Sequence, residues 1–348
     1  ATVPGLPGAD GGLMTHHKTW IRLLALGALA VSLAVSCGPA GQDSAPDAGT
    51  LTIGVMPKLV GIDYFNACER GAREAAGELG VELTYDGPVT NDVTKQAEML
   101  DAWITRRFDV IAVAPNDPHA LAPTLKRAAA QGLAVLTWDA DSDEDSRAYF
   151  VNQAPFREFG YALVEVMAEQ IGGAGEVAIV TGSLTAANQN AWMEHMREAV
   201  SESYPGIEIV AVQPSEEDQQ LAFQVTQDLL KAHPALKGIF GITTVAAPGA
   251  AEAVRQAGRS GEVAVTGVST PNQMRPYVED GTVKEFVLWN PVDLGYLTVY
   301  AGKVLRDTGT LPPTFEAGRL GHVTVSGTEV LLGPPVRFHK GNVAHFDF

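Results

Sequence analysis

The sequence predicts an α/β protein of two similar lobes, each built on a parallel sheet, and three observations carry that prediction. From residue 51 onward, short apolar strands alternate with helices almost without interruption, the pattern that yields parallel sheets through right-handed crossovers. The same alternation begins again after Gln153. At 348 residues, 46% apolar and 19% charged, the chain has the composition of a soluble globular protein and enough length for two cores.

The elements follow in order. Leu51–Met56 reads as a buried strand, and Phe65–Leu79 as a helix whose apolar and small residues recur at helical spacing, with Gly80 at its end. Strand 81–85 and helix 92–106 come next, then strand 110–114 and helix 119–131, then strands 135–138 and 149–152. The second set runs helix 156–170, strand 177–181, helix 188–201, strand 208–212, helix 219–232, strand 238–241, helix 246–257 and strand 263–267. A later strand, 285–289, and a helix, 293–306, are expected to cross back to the first lobe. The stretches at 323–325, 329–332 and 336–338 read as β-rich. The expected organisation is therefore 1–37 leader, 38–50 tether, 51–152 with about 291–320 as the N-terminal lobe, and 153–290 with about 321–348 as the C-terminal lobe.

The leader is read from Met14. His16, His17, Lys18 and Arg22 form a polar, basic start, and Leu23–Val35 an apolar core too short to span a bilayer comfortably. That core ends at Ala34-Val35-Ser36-Cys37-Gly38, which resembles a lipoprotein processing site, with Ala34 where that motif prefers Leu. Cleavage before Cys37 leaves a thiol to be acylated. The thirteen residues before Met14 read as translated upstream sequence or a misplaced start, and Gly38–Thr50 has a flexible tether's composition. The only other cysteine, Cys68, then has no partner and reads as a small apolar residue on a helix.

Net charge is −17, and no extended Lys/Arg cluster follows residue 40. Nucleic acid, which demands a basic surface, is excluded as a partner. Enzyme signatures are mostly absent. Gly173-Ala-Gly175 precedes a strand instead of following one, so it reads as a plain turn and not as a dinucleotide loop. Neither a Walker loop nor a nucleophile elbow occurs, the eight histidines show no metal-ligand spacing, and no cofactor is expected.

Polar residues accumulate instead where strands end, which in open α/β sheets is the ligand crevice. Strand 134–138 ends as Trp138-Asp139-Ala140-Asp141, a flat ring beside two carboxylates. That pairing suits a polyhydroxylated molecule, with C–H faces on the ring and hydroxyls donating to carboxylates. Position alone leaves open that Asp139 and Asp141 cap a helix or lie solvated in a loop. Lys58 follows the first strand, with Tyr64 and Phe65 close behind; it is either a cleft donor or a surface lysine. Asn188, Gln189 and Asn190 open a helix, either as caps or as amides that both donate to and accept from hydroxyls. Thr243 and Thr244, Ser269 and Thr270, and Trp289 and Asn290 end three further strands. Five such clusters besides the Trp138–Asp141 run, shared by two lobes, point to a cleft that closes on a small ligand.

Pro57-Lys-Leu-Val-Gly61, Thr84-Tyr-Asp-Gly-Pro88, Leu136-Thr-Trp-Asp139, Asn152-Gln153, Gln189-Asn190 with Trp192, Ser269-Thr-Pro-Asn272 and Gly281-Thr-Val-Lys-Glu-Phe286 occur in this order. Over nearly all of residues 51–348 the chain resembles the periplasmic sugar-binding proteins of type I ABC importers, nearest the autoinducer-2-binding and rhamnose-binding receptors. The resemblance implies two Rossmann-like lobes with parallel sheets joined by a three-strand hinge, a ligand between them and no chemistry performed. It implies ligand contacts by Lys58, Asp139 and Gln189. It departs at Asn188, where the autoinducer-2 receptor has an aspartate, and at Ile242-Thr243-Thr244, where that receptor has an apolar wall. Those changes favour a monosaccharide, a rhamnose-like deoxyhexose or a pentose, over autoinducer-2.

The expectation is a monomeric, exported, lipid-anchored receptor that captures a sugar and delivers it to the permease subunits of an ABC transporter. Its ligand residues are Lys58, Phe65, Trp138, Asp139, Asp141, Asn188, Gln189, Thr244, Trp289 and Asn290. Two rivals share the fold or the ligand: a ligand-responsive transcription regulator, which needs a basic helix-turn-helix, and a sugar isomerase or dehydrogenase, which needs an acid/base pair or a cofactor loop.

Overall fold

A computed structural model describes residues 49–348; Cys37 and the leader lie outside the described residues. The chain runs β1 (Thr52–Met56), α1 (Asp63–Leu79), β2 (Glu82–Tyr85), α2 (Val93–Thr105), β3 (Val110–Val113), α3 (Pro118–Ala130), β4 (Ala134–Trp138) and β5 (Tyr149–Asn152). It continues α4 (Phe156–Ile171), β6 (Ala174–Thr181), α5 (Ala187–Ser203), β7 (Gly206–Pro214), α6 (Gln219–Ala232), β8 (Gly238–Gly241), α7 (Ala246–Gln256), β9 (Ala264–Gly267), α8 (Pro271–Glu279) and β10 (Glu285–Leu288). It ends α9 (Pro291–Thr308), β11 (Thr314–Glu316), β12 (His322–Ser326), β13 (Glu329–Leu331) and β14 (Val336–His339).

Two sheets result. The first has the order β11-β12-β13-β5-β4-β3-β1-β2, and the second β7-β6-β8-β9, with β10 and β14 paired antiparallel. A bridge from Val268 to Val287 brings β10 alongside the end of β9. Each βα unit is parallel to its neighbours, so the C-terminal strand ends of each lobe share one edge, which is where loops collect. The chain crosses between lobes three times: after β5, after β10, and between β13 and β14. Helix starts are fixed locally. The carboxylates of Asp92, Asp117 and Asp218 accept from backbone N–H groups in the first turns of α2, α3 and α6, and Pro118, Pro271 and Pro291 open α3, α8 and α9.

Helix α9 returns to the first lobe and packs on α1. Their backbones touch: a Cβ at Gly71 would lie 1.7 Å from the Val292 carbonyl oxygen, and one at Gly295 would lie 1.9 Å from that of Cys68. Cys68 is buried in this contact, and burial pushes its thiol well above the usual range. It is packing material, as the sequence suggests.

Pairing corrects the placement of residues 321–348. β12 and β13 join the first sheet, with β13 parallel to β5 (Val330 opposite Val151). Only β14 and the tail belong beside the second lobe, where Phe338 stacks on Phe286 and the Phe348 carbonyl accepts from Asn272 N. The apolar alternation in 323–332 fits either sheet edge equally, so the sequence carries no signal for which sheet it chooses. Helix α8 is also absent from the sequence reading, since Pro276 lies inside it.

Candidate functional site

The strand ends of both lobes converge on one cavity, about 340 Å³ when the open solvent at its mouth is included. From the first lobe come Lys58 after β1, Ile62, Tyr64 and Phe65 at the start of α1, and Asp139 after β4. The second lobe contributes Asn188, Gln189 and Trp192 from α5, Glu217 after β7, Ile242-Thr243-Thr244 after β8, Val268 after β9, and Trp289 after β10.

Asp139 is the centre of this arrangement. It holds φ at +62°, a left-handed conformation that costs a non-glycine residue about 1 kcal/mol or more and that aspartate tolerates better than most. Its N–H donates to the Val151 carbonyl, and this turn takes the carboxylate out of the strand and into the cleft. There Tyr64 Oη donates to Oδ1 at 2.6 Å, Lys58 Nζ stands 3.8 Å from Oδ2, and Trp289 Nε1 donates to Tyr64 Oη at 3.0 Å. Lys58 and Asp139 are 4% and 3% exposed, so both charges are nearly out of water. Burial is the largest influence on the carboxyl and raises it above the ordinary aspartate value; Glu217 pushes the same way, while Lys58 and the Tyr64 hydrogen bond draw it back. Tyr64 itself is pushed well above the usual phenol range by burial and by the Asp139 charge.

The lobes meet across the cavity. Lys58 Nζ donates to Asn188 Oδ1 at 3.0 Å, and Thr185 Oγ1 donates to the Asn116 carbonyl at 3.2 Å. Asn188 Oδ1 also accepts from Gln189 N, which turns the Asn188 carbonyl toward donors. Gln189 Oε1 accepts from Gly182 N at 2.7 Å and Thr181 Oγ1 at 2.5 Å, and its amide donates to Glu217 Oε1 at 2.9 Å. The apolar faces come from Phe65, Trp192 and Trp289, with Trp289 edge-on to Tyr64 at 5.9 Å between centroids. A ring of donors and acceptors framed by aromatic faces suits a small, uncharged, hydroxyl-rich molecule.

Seven of the ten expected ligand residues line this cavity: Lys58, Phe65, Asp139, Asn188, Gln189, Thr244 and Trp289. Three do not, and each has a structural reason. Asp141 is held by Arg147, whose Nη2 and Nε lie 2.6 and 3.0 Å from the two carboxylate oxygens, and it also accepts from Thr137 and Ser142. Trp138 is fully buried beneath Phe65, edge-on at 5.8 Å, with Nε1 donating to the Met56 carbonyl. Asn290 caps α9, its Oδ1 accepting from Val292 and Asp293 N. Tyr64 and Glu217 line the cavity although the sequence did not single them out as ligand residues. Tyr64 was legible as the neighbour of Phe65 on the first helical turn. Glu217 was not, lying in the Glu216-Glu217-Asp218 run that reads as a solvated loop.

Comparison with known proteins adds to this geometry. Residues 53–309 match the family model described as a periplasmic binding protein domain. The D-ribose/D-allose-binding protein of Pseudomonas aeruginosa is 27% identical over 239 residues, 66% of this chain and 74% of that protein. An ABC transporter solute-binding protein from Clostridium phytofermentas, solved with bound L-rhamnose, is 30% identical with a TM-score of 0.82, covering 85% of this chain and 98% of that one. The LsrB protein of Clostridium saccharobutylicum, solved in complex with AI-2, is 25% identical with a TM-score of 0.82, covering 86% and 100%.

Proposed function

The chain belongs to the periplasmic binding protein domain family, and from that premise we propose that it is the sugar-capturing receptor of an ABC importer, taking a neutral monosaccharide of the rhamnose-like deoxyhexose or pentose class into the cavity between its lobes. The observation that carries this reading is the polar cluster of Lys58, Asp139, Tyr64 and Asn188, drawn from both lobes and buried beside Phe65 and Trp289. Hydroxyls donate to Asp139 and accept from Lys58 and the Asn188 and Gln189 amides, while the rings cover the C–H faces. Both lobes supply contacts, so binding energy favours the closed arrangement of the lobes.

Delivery of the sugar to permease subunits, export from the cytoplasm, a lipid anchor at Cys37 and a monomeric state complete the proposal. Among the described residues no helix is long and apolar enough to cross a membrane. Mass spectrometry of the protein from its native membrane tests the anchor: a diacylglyceryl adduct on Cys37 is expected, and an unmodified Cys37 contradicts it.

Autoinducer-2 is the second reading, favoured by the LsrB likeness and by Lys58, Asp139 and Gln189 lying together in the cavity. Asn188 in place of a carboxylate and the Thr243-Thr244 hydroxyls on the facing wall argue for a sugar instead. Calorimetric titration with L-rhamnose, D-ribose, D-arabinose, D-allose and autoinducer-2 decides between them. A monosaccharide as the tightest ligand is expected; tighter binding of autoinducer-2, or no binding of any monosaccharide, overturns the ligand assignment.

A further inference from the structure

We propose that Glu217 is a second ligand-binding carboxylate, presented by the second lobe toward the cavity that Asp139 enters from the first, and that the pair selects neutral sugars through their hydroxyl donors while rejecting sugar acids and sugar phosphates. This inference rests on the sugar-receptor reading and deepens it.

The Glu217 carboxylate does not reach the cavity by chance. Glu216 and Glu217 hold φ at +51° and +57°, two consecutive left-handed residues without a glycine, a conformation that persists only where the surroundings enforce it. They are enforced by the ladder: Ser215 N donates to the Thr181 carbonyl at 2.7 Å, and Glu216 N to the Gly182 carbonyl at 2.6 Å. The carboxylate then lies over Gly182, where a Cβ would come within 2.1 Å of Oε1, and accepts from Gln189 Nε2 at 2.9 Å. Strained backbone, a close approach to glycine and a buried amide donor together aim one side chain into the cavity.

Charge decides what it does there. The cavity lining carries two carboxylates, Asp139 and Glu217, against one ammonium, Lys58. Lys58 already donates to Asn188 and faces Asp139. The site therefore has surplus acceptors and needs a ligand rich in donors. A carboxylate or phosphate on the ligand would meet two like charges in a place of low dielectric. Trp192 supports the same conclusion from the donor side: its ring lines the cavity and its buried Nε1–H has no partner, and a hydroxyl can accept from it while donating to a carboxylate.

The test is calorimetry on the full chain with L-rhamnose, D-ribose, 2-deoxy-D-ribose and D-glucuronate, for the wild type, Glu217→Gln and Glu217→Asp, with thermal midpoints measured beside them. The wild type is expected to bind a neutral sugar and not the uronate. Either variant is expected to weaken that sugar about ten- to hundredfold, the range for one charge-assisted hydrogen bond, and the loss is expected to shrink for an analogue lacking the engaged hydroxyl. Variants binding within twofold of the wild type, or wild-type affinity for D-glucuronate equal to that for a neutral sugar, overturn the proposal. An equal loss on every analogue reduces Glu217 to a positioner of Gln189 and also overturns it. A wild type that binds none of the sugars instead overturns the receptor reading beneath it, a result distinct from a binding wild type with indifferent variants.

Discussion

Tyr64 donates its hydroxyl to Asp139 Oδ1 at 2.6 Å while accepting from Trp289 Nε1 at 3.0 Å. One phenol thus ties a first-lobe carboxylate to the segment where the chain crosses back between lobes. Replacing Tyr64 by Phe removes a hydrogen bond that lowers the Asp139 pKa and leaves Trp289 Nε1 buried without a partner. Affinity for the sugar is expected to fall about tenfold, the scale of one buried hydrogen bond to a charged group, as read by calorimetry with the fold checked by circular dichroism.

Asp139→Asn keeps the shape and removes the charge, leaving Lys58 buried with an amide alone. Loss of a charged acceptor in a desolvated site is expected to weaken binding about a hundredfold. Asp141→Asn, two residues away, is expected to leave affinity within about twofold. Its cost falls on stability, because the Arg147 side chain is 6% exposed and loses its bidentate partner. A drop of about 1–3 kcal/mol in denaturant unfolding is expected, less than for a fully buried pair because Asp141 is itself partly exposed. The two variants separate a ligand carboxylate from a structural one.

Acid weakens binding earlier than an ordinary aspartate would dictate. The Asp139 carboxyl is raised by burial, and the ionised form is the one that accepts from Tyr64 Oη and, in the proposed complex, from a sugar hydroxyl. Affinity is therefore expected to fall as pH drops through that raised value, which lies above the roughly 3.9 of a free aspartate. The folding linkage has the opposite sense. Folded Asp139 holds its proton more tightly than the unfolded chain does, so its contribution is present below about 3.9 and is lost as pH rises to the folded value. Titrations across pH 4–8 check this; a profile for Asp139→Asn as steep as the wild type's contradicts it.

Gln153, where the chain first crosses between lobes, is fully buried and neither side-chain polar atom has a partner. A desolvated amide costs about 1–3 kcal/mol. Gln153→Met, similar in shape and apolar, is expected to unfold at or above the wild-type temperature, and a fall of several degrees contradicts that.

Much of this molecule was legible in its sequence, for identifiable reasons. Strands such as 110–113 and 238–241 are buried apolar runs bounded by turns, and α1 shows a small-residue stripe because α9 lies against it. Lys58, Asp139, Asn188 and Gln189 were found because strand ends are where an open sheet exposes side chains. Trp138, Asp141 and Asn290 were misassigned by the same rule, since position at a strand end does not say which way a side chain turns. The positive φ at Asp139 sends that residue into the cleft and its neighbours elsewhere. Glu217 was hidden because its direction depends on two left-handed residues and on the space over Gly182. The partner sheet of β13 was hidden because strand pairing between residues as distant in the chain as Val151 and Val330 leaves no local mark.

A crystal structure of the full chain with the tightest-binding monosaccharide tests the central claim most directly. The expected density lies between the lobes, with ring hydroxyls within hydrogen-bond distance of Lys58, Asp139 and Asn188 and a C–H face on Phe65 or Trp289. A sugar bound outside this cavity, or inside it without contact to Asp139, would contradict the account.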